Sequence, residues 1–364
     1  MSTKNLKSTA NKKESQGPIS KKKGILFMVL FIIIAVMTVF AVVSQSRDFS
    51  LRNFISYVNG ASVEWLLAAL LSMLGFIFFE ALALKILCNA YGQKQNLGRA
   101  YIYSASDIYF SAITPSATGG QPASAFFMYK NGMSGMLVTA LLVANLTMYT
   151  LSIIVIGILC FIFRFEMFMQ YSVLSKLLII VGFVSQIVML VFFYMLLKRD
   201  RLLQRICNFV LKVLCKIRII KKREYYQKKL DNYMENYRQY SKIITQHRKS
   251  LLSCFVFNFL QRSSQIAVTM YVFIATTGKS FAESIELFFW QGYATLGSNS
   301  IPIPGAMGVS DYLMIDGFKT IMSDEAAVNL ELLSRSFSFY SCVIICGIST
   351  LVYYLIIRKR GRAK

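Results

Sequence analysis

The sequence predicts an all-α integral membrane protein with about six full transmembrane helices and two re-entrant broken helical hairpins, an order compatible with an inverted repeat. Three observations predict it. Apolar residues make up 55% of the chain and charged residues 16%, where soluble domains have roughly a quarter of their residues charged. The apolar residues gather in runs close to the ~20 residues that a helix needs to cross a hydrocarbon core. Two further segments must enter and leave on one side, and they hold four of the five prolines.

Full crossings are expected near 25–43, 64–88, 135–163, 172–197, 250–277 and 336–357. The first run follows seven lysines between Lys4 and Lys23, as a cleaved leader would, but it continues through Phe40 and Val43. That exceeds the ~7–15 apolar residues of a leader, so it reads as an uncleaved anchor behind a basic tail, residues 1–23. Lys and Arg then fix the orientation. The segment 198–249 holds 16 of the 40 basic residues, the N-terminal tail seven and the tail 358–364 five. With all three inside, 32 basic residues lie inside and seven outside, Arg335 among the latter, while Arg262 stays within a helix. A bacterial cytoplasmic membrane with both termini in the cytoplasm is the expected setting.

Parity shapes the rest. Residues 99 and 131 both lie inside, so 99–131 dips and returns, and 283–330 must do the same from the opposite face. The first dip is broken at Thr114-Pro115-Ser116-Ala117-Thr118-Gly119-Gly120-Gln121-Pro122, the second at Ile301-Pro302-Ile303-Pro304-Gly305-Ala306-Met307-Gly308. Pro removes a backbone donor and Gly permits conformations that other residues resist. Irregular backbone at membrane depth survives only where protein or a wet cavity satisfies it, and transporter sites lie where such broken helices meet.

The chemistry expected there is anion recognition. A helix restarting after a break offers free N–H groups and a positive dipole end, and Thr114, Ser116, Thr118, Gly119, Gly120 and Gln121 form a small, hydroxyl-rich approach to such a start. Ionisable residues at membrane depth are candidates by default. Arg262 would pair with a phosphate or neutralise an acid. Asp107 and Asp311 would hold an ammonium group, gate the site or accept a proton, and Glu80 and Glu286 are gating or charge-coupling candidates. No catalytic residue, metal ligand or cofactor is expected: His247 is the only histidine and lies in a basic polar segment, and the seven cysteines are scattered with no CxxC pair. The stretch 200–248 sets Leu202, Ile206, Phe209, Val213 and Ile217 at helical spacing among basic residues, which fits anionic lipid at the cytoplasmic leaflet. Tails and this one loop hold most of the net charge of +23, so no nucleic-acid partner is expected.

The two breaks with their surroundings resemble the membrane part of the lysylphosphatidylglycerol synthase/flippase family. The resemblance rests on Arg99, Ser104 to Asp107, Thr114-Pro115, Gly119-Gly120-Gln121-Pro122 and Lys130-Asn131-Gly132, then on Pro302-Ile303-Pro304-Gly305-Ala306-Met307-Gly308-Val309-Ser310-Asp311. It implies a flippase-like transporter of a phospholipid such as lysylphosphatidylglycerol, or a related lipid-linked anion, with Pro304, Gly305, Gly308 and Asp311 joining the first break at the binding site. Full-length relatives add a cytosolic aminoacyl-transferase domain; that domain is expected to be absent here and supplied, if needed, by a separate protein. The alternative implied by the family name is a membrane-embedded phosphatidylglycerol lysyltransferase-type enzyme or its membrane subunit. Many relatives carry Gly-Gly where this chain has Gly305-Ala306, Glu where it has Asp311, and an acidic residue and Arg where it has Gln121 and Ser124.

Overall fold

A computed structural model describes residues 51–114, 117–198, 200–216 and 223–362. Among them the chain is all-α, without a strand. A short helix α1 (Leu51–Asn59) leads to α2 (Val63–Ala90), which precedes a hairpin of α3 (Leu97–Ile113) and α4 (Gly120–Lys130). The long α5 (Gly135–Phe163), one turn and a half of α6 (Phe165–Gln170) and α7 (Val173–Lys198) follow. Next come α8 (Asp200–Lys216) and α9 (Arg223–Gln246), then α10 (Arg248–Thr277) and a second hairpin of α11 (Phe281–Ser298) and α12 (Val309–Phe318). The chain closes with α13 (Asp324–Arg335), a π-helical turn at Ser336–Tyr340 and α14 (Ser341–Arg362).

Helix lengths repeat between the halves. A helix of 28 residues, hairpin arms of 17 and 11 and a helix of 29 in the first half are matched by 30, 18 and 10 residues and a span of 36 in the second. The two helices that precede the hairpins, α2 and α10, form the most extensive packing in the molecule. Ser72 Oγ donates to the Ser264 carbonyl at 2.8 Å and Trp65 stacks on Tyr271 at 6.1 Å between them.

Among the described residues four stretches are long and apolar enough to cross a membrane: Val63–Ala90, Gly135–Phe163, Val173–Lys198 and Asp324–Lys359. The predicted crossing 25–43 and the tail 1–23 lie outside the described residues. The predicted crossing 250–277 is a helix of sufficient length, ~45 Å at 1.5 Å per residue, but it is not among the four apolar spans. Its middle, Gln261-Arg262-Ser263-Ser264-Gln265, lies inside the bundle rather than toward lipid. The last crossing also starts earlier than the sequence indicated. Ser323 caps α13, accepting from the Ala326 amide, so 324–335 belongs to the final long helix and the second hairpin closes at Phe318.

Lipid would cover α7, where Leu177, Ile180, Val181, Val184 and Val188 are exposed, as expected for a helix that turns one stripe to its neighbours. That stripe includes Gly182, where a Cβ would collide with the Leu296 carbonyl of α11. The basic segment after it does not lie wholly free. Tyr237 of α9 is fully buried and donates to the Leu196 carbonyl at 3.0 Å, docking α9 under the end of α7.

Candidate functional site

The first break begins because Pro115 forces its predecessor out of the helical region: Thr114 is extended, at φ −115° and ψ 145°. Its side chain stays useful. Thr114 Oγ1 accepts from the Gly119 amide at 2.8 Å, one of the donors that a helix start leaves open. Gly120 opens α4 in close contact with α3, since a Cβ there would overlap the Asp107 carboxylate and the Ser111 hydroxyl. The Asp107 carboxylate therefore sits beside the positive end of α4, and it accepts from Gln121 Nε2 at 2.7 Å and Ser111 Oγ at 3.2 Å.

The second break is turned by Gly305 and Ala306, both left-handed at φ 60° and 49°, and by Gly308 at φ 80°. A carboxylate again serves the restarting helix: Asp311 Oδ2 accepts from the Gly308 amide at 2.8 Å. Here it is also ion-paired. Arg335 Nη1 lies 2.8 Å from Asp311 Oδ1 with both side chains buried, Arg335 Nη2 donates to the Gly305 carbonyl at 3.0 Å, and its guanidinium lies 5.1 Å from the Phe339 ring centre. Glu331, 1% exposed, completes the cluster beside Asp311 and Arg335.

The two breaks meet. Between them lies a cavity of about 510 Å³ lined by Ala117, Thr118 and Gln121 from the first and by Asn299, Ile303 and Gly305 from the second. Its remaining wall mixes apolar side chains with a set of polar ones: Glu80, Asp107, Asn145, Gln186, Gln261 and Gln291 face it. Arg262 projects into the same space, its guanidinium 4.6 Å from the Tyr149 ring centre and 5.8 Å from that of Phe76. It donates to Gln265 and, at 3.3 Å, to Asn299 Oδ1, while its Nε has no hydrogen-bond partner. Among the described residues no carboxylate forms an ion pair with it, although Glu80 is near enough to act on its charge. A cation stacked on aromatic faces and bonded only to neutral amides keeps its capacity for an anion.

Of the residues singled out from sequence, Glu80, Asp107, Thr118, Gln121, Arg262 and Gly305 share the cavity wall. Thr114, Gly119, Gly120, Pro304, Gly308 and Asp311 stand behind it and shape the breaks. The amide cradle expected at Gly119–Gly120 faces α3, because Thr114 and Asp107 already occupy that helix start. Ser116 lies outside the described residues, and Glu286 does not reach the cavity. Arg335, counted among the outer loop cations, is 6% exposed in the protein interior, since the ion pair with Asp311 compensates its burial. Glu331, Tyr149 and the glutamine wall were not singled out. Glutamines spaced at 186, 261, 265 and 291 inside long apolar helices are the signal that would have found most of it.

These features define a class: an all-α membrane protein in which two interrupted hairpins meet at a cavity that bears an arginine, two carboxyl groups and several amides. The family described as the lysylphosphatidylglycerol synthase TM region matches residues 26–346, and the chain belongs to it. No curated protein matches the chain.

Proposed function

We propose that the protein is a flippase-like transporter that carries a phospholipid such as lysylphosphatidylglycerol, or a related lipid-linked anion, across the bacterial cytoplasmic membrane. The observation that carries this reading is Arg262: an arginine in the middle of a long helix, with no paired carboxylate among the described residues, facing the cavity where both hairpin breaks meet. Its fork geometry suits two oxygens of a phosphate. The hairpins enter from opposite faces, so that small movements of either tip open the cavity to one side at a time. Acyl chains stay in the bilayer beside the exposed stripe of α7, near Met189 and Phe193 of the cavity wall. The basic helices α8 and α9 rest at the anionic cytoplasmic leaflet, both termini are cytoplasmic, and aminoacylation of the lipid is left to a separate transferase.

The test is outer-leaflet exposure of labelled aminoacyl lipid in cells expressing Arg262→Ala at normal protein level. Loss of a charge-assisted contact of about 1.5–3 kcal/mol lowers the exposure rate by roughly 10- to 100-fold while total aminoacyl lipid stays level. Unchanged exposure removes the site; a fall in total lipid indicates synthesis rather than transport.

A further inference from the structure

Two carboxyl groups share the cavity wall with Arg262, and their surroundings are unusual. Glu80 of α2 and Asp107 of α3 are each 5% exposed and line the same cavity. Two buried carboxyl groups in one site favour holding a proton between them over both being anions. Neutral donors complete the shell: Ser104 Oγ at 3.1 Å and Gln261 Nε2 at 3.0 Å on Glu80, and Ser111 and Gln121 on Asp107. Gln261 is 2% exposed, and its Oε1 has no partner, as is true of Gln121 Oε1. Each glutamine thus holds a carboxylate with its N–H and keeps a spare acceptor beside the pair, where a second carboxylic O–H would find its partner. The other titratable groups acting on the pair are Arg262 and Cys254 of α10 and Cys346 of α14; α4 and α5 bring the neutral Gln121 and Asn145 and, stacked on Arg262, Tyr149.

Resting on the transport reading above, we infer that Glu80 and Asp107 form a proton-adjusting pair whose proton count compensates the net charge of the headgroup bound at Arg262. With one shared proton the pair carries a single negative charge, which Arg262 balances, so the empty cavity is neutral. Uncompensated charge at this depth is costly. A headgroup of net charge −1, such as phosphatidylglycerol, brings one proton onto the pair, forming an O–H that donates to a glutamine Oε1. A headgroup of net charge +1, such as the lysyl ester with its two ammonium groups, expels the shared proton to solvent and meets a dianion. The same cavity therefore moves protons with anionic lipid and against cationic lipid.

The experiment uses purified full-length protein in phosphatidylcholine vesicles enclosing a pH-sensitive dye, to which short-chain phosphatidylglycerol or short-chain lysylphosphatidylglycerol is added. Lumen acidification with the first and alkalinisation with the second are expected, about one proton per lipid; in Glu80→Gln the one remaining carboxylate has no shared proton to expel, so the alkalinisation vanishes while the acidification stays. Asp107→Asn serves as the second variant should the first fail to give monodisperse protein. Infrared difference spectra of detergent-solubilised protein give an independent readout: the protonated-carboxyl band grows with phosphatidylglycerol and shrinks with the lysyl lipid, and in the variants the decrease with the lysyl lipid is lost. Lipid transfer with no pH change, or with the same sign for both lipids, overturns the inference and leaves the transport reading standing. If neither lipid crosses in the intact protein, the transport reading falls, and a carboxyl band indifferent to both lipids overturns the pair as well.

Discussion

The two hairpins have matching arm lengths but hold their breaks by different electrostatics. At the first break the carboxylate at the helix start, Asp107, is met by Gln121, Ser111 and its neighbour Glu80, all without full positive charge. At the second, Asp311 is tied to Arg335, and the same arginine grips the backbone at Gly305. A neutral, hydrogen-bonded break can exchange partners at modest cost, since a net hydrogen bond is worth about 0.5–1.5 kcal/mol. A buried ion pair cannot give up one member without leaving the other stranded. The comparison teaches that the second break is held by a buried ion pair and the first by hydrogen bonds that are easier to exchange.

Breaking the ion pair gives the largest expected effect. Arg335→Met leaves Asp311 and Glu331 buried without their cation, and a loss of about 3–5 kcal/mol is expected as a large drop in thermal midpoint of the detergent-solubilised protein. A variant as stable as the parent would remove the distinction between the breaks. Gly120→Ala comes next. Its Cβ would overlap Asp107 and Ser111, so α4 must move away from α3, at about 1–3 kcal/mol by the usual cost of overpacking. The same thermal melt measures it, and altered transport with little loss of stability would sharpen the view of the first break as the adaptable one. Ala306→Gly is the smallest and has the opposite sign. Ala306 sits at φ 49°, where an L side chain costs roughly 1–2 kcal/mol, so glycine should raise the melting midpoint slightly. A fall would show that the Ala306 methyl contributes packing that outweighs its strain.

Much of this was legible before any coordinates. Runs of apolar residues located the long helices, because crossing a bilayer demands length and apolarity together. Pro115, Pro302 and Pro304 located both breaks, because proline acts locally on its own backbone. Arg262 was conspicuous for the same local reason: a charge in the middle of an otherwise membrane-length helix. Reading failed where the answer depended on a distant partner. Arg335 reads as an outer loop cation since it precedes the crossing expected at 336–357, which must start outside, and only its contact with Asp311, 24 residues earlier along the chain, explains its burial.

The sequence by itself determined that this is a helical membrane protein interrupted at two Pro-Gly segments, because hydropathy, helix propensity and proline geometry are properties of short stretches of chain. Tertiary structure decided that the two interruptions share one cavity, that Asp107 lies against the start of α4 and Asp311 pairs with Arg335, and that Glu80 and Asp107 share the cavity wall while among the described residues Arg262 has no carboxylate paired to it. Those outcomes follow from which helices pack together, and pairing across ~180 residues, as between Gln261 and Glu80, is set by the fit of whole helix faces rather than by any local pattern.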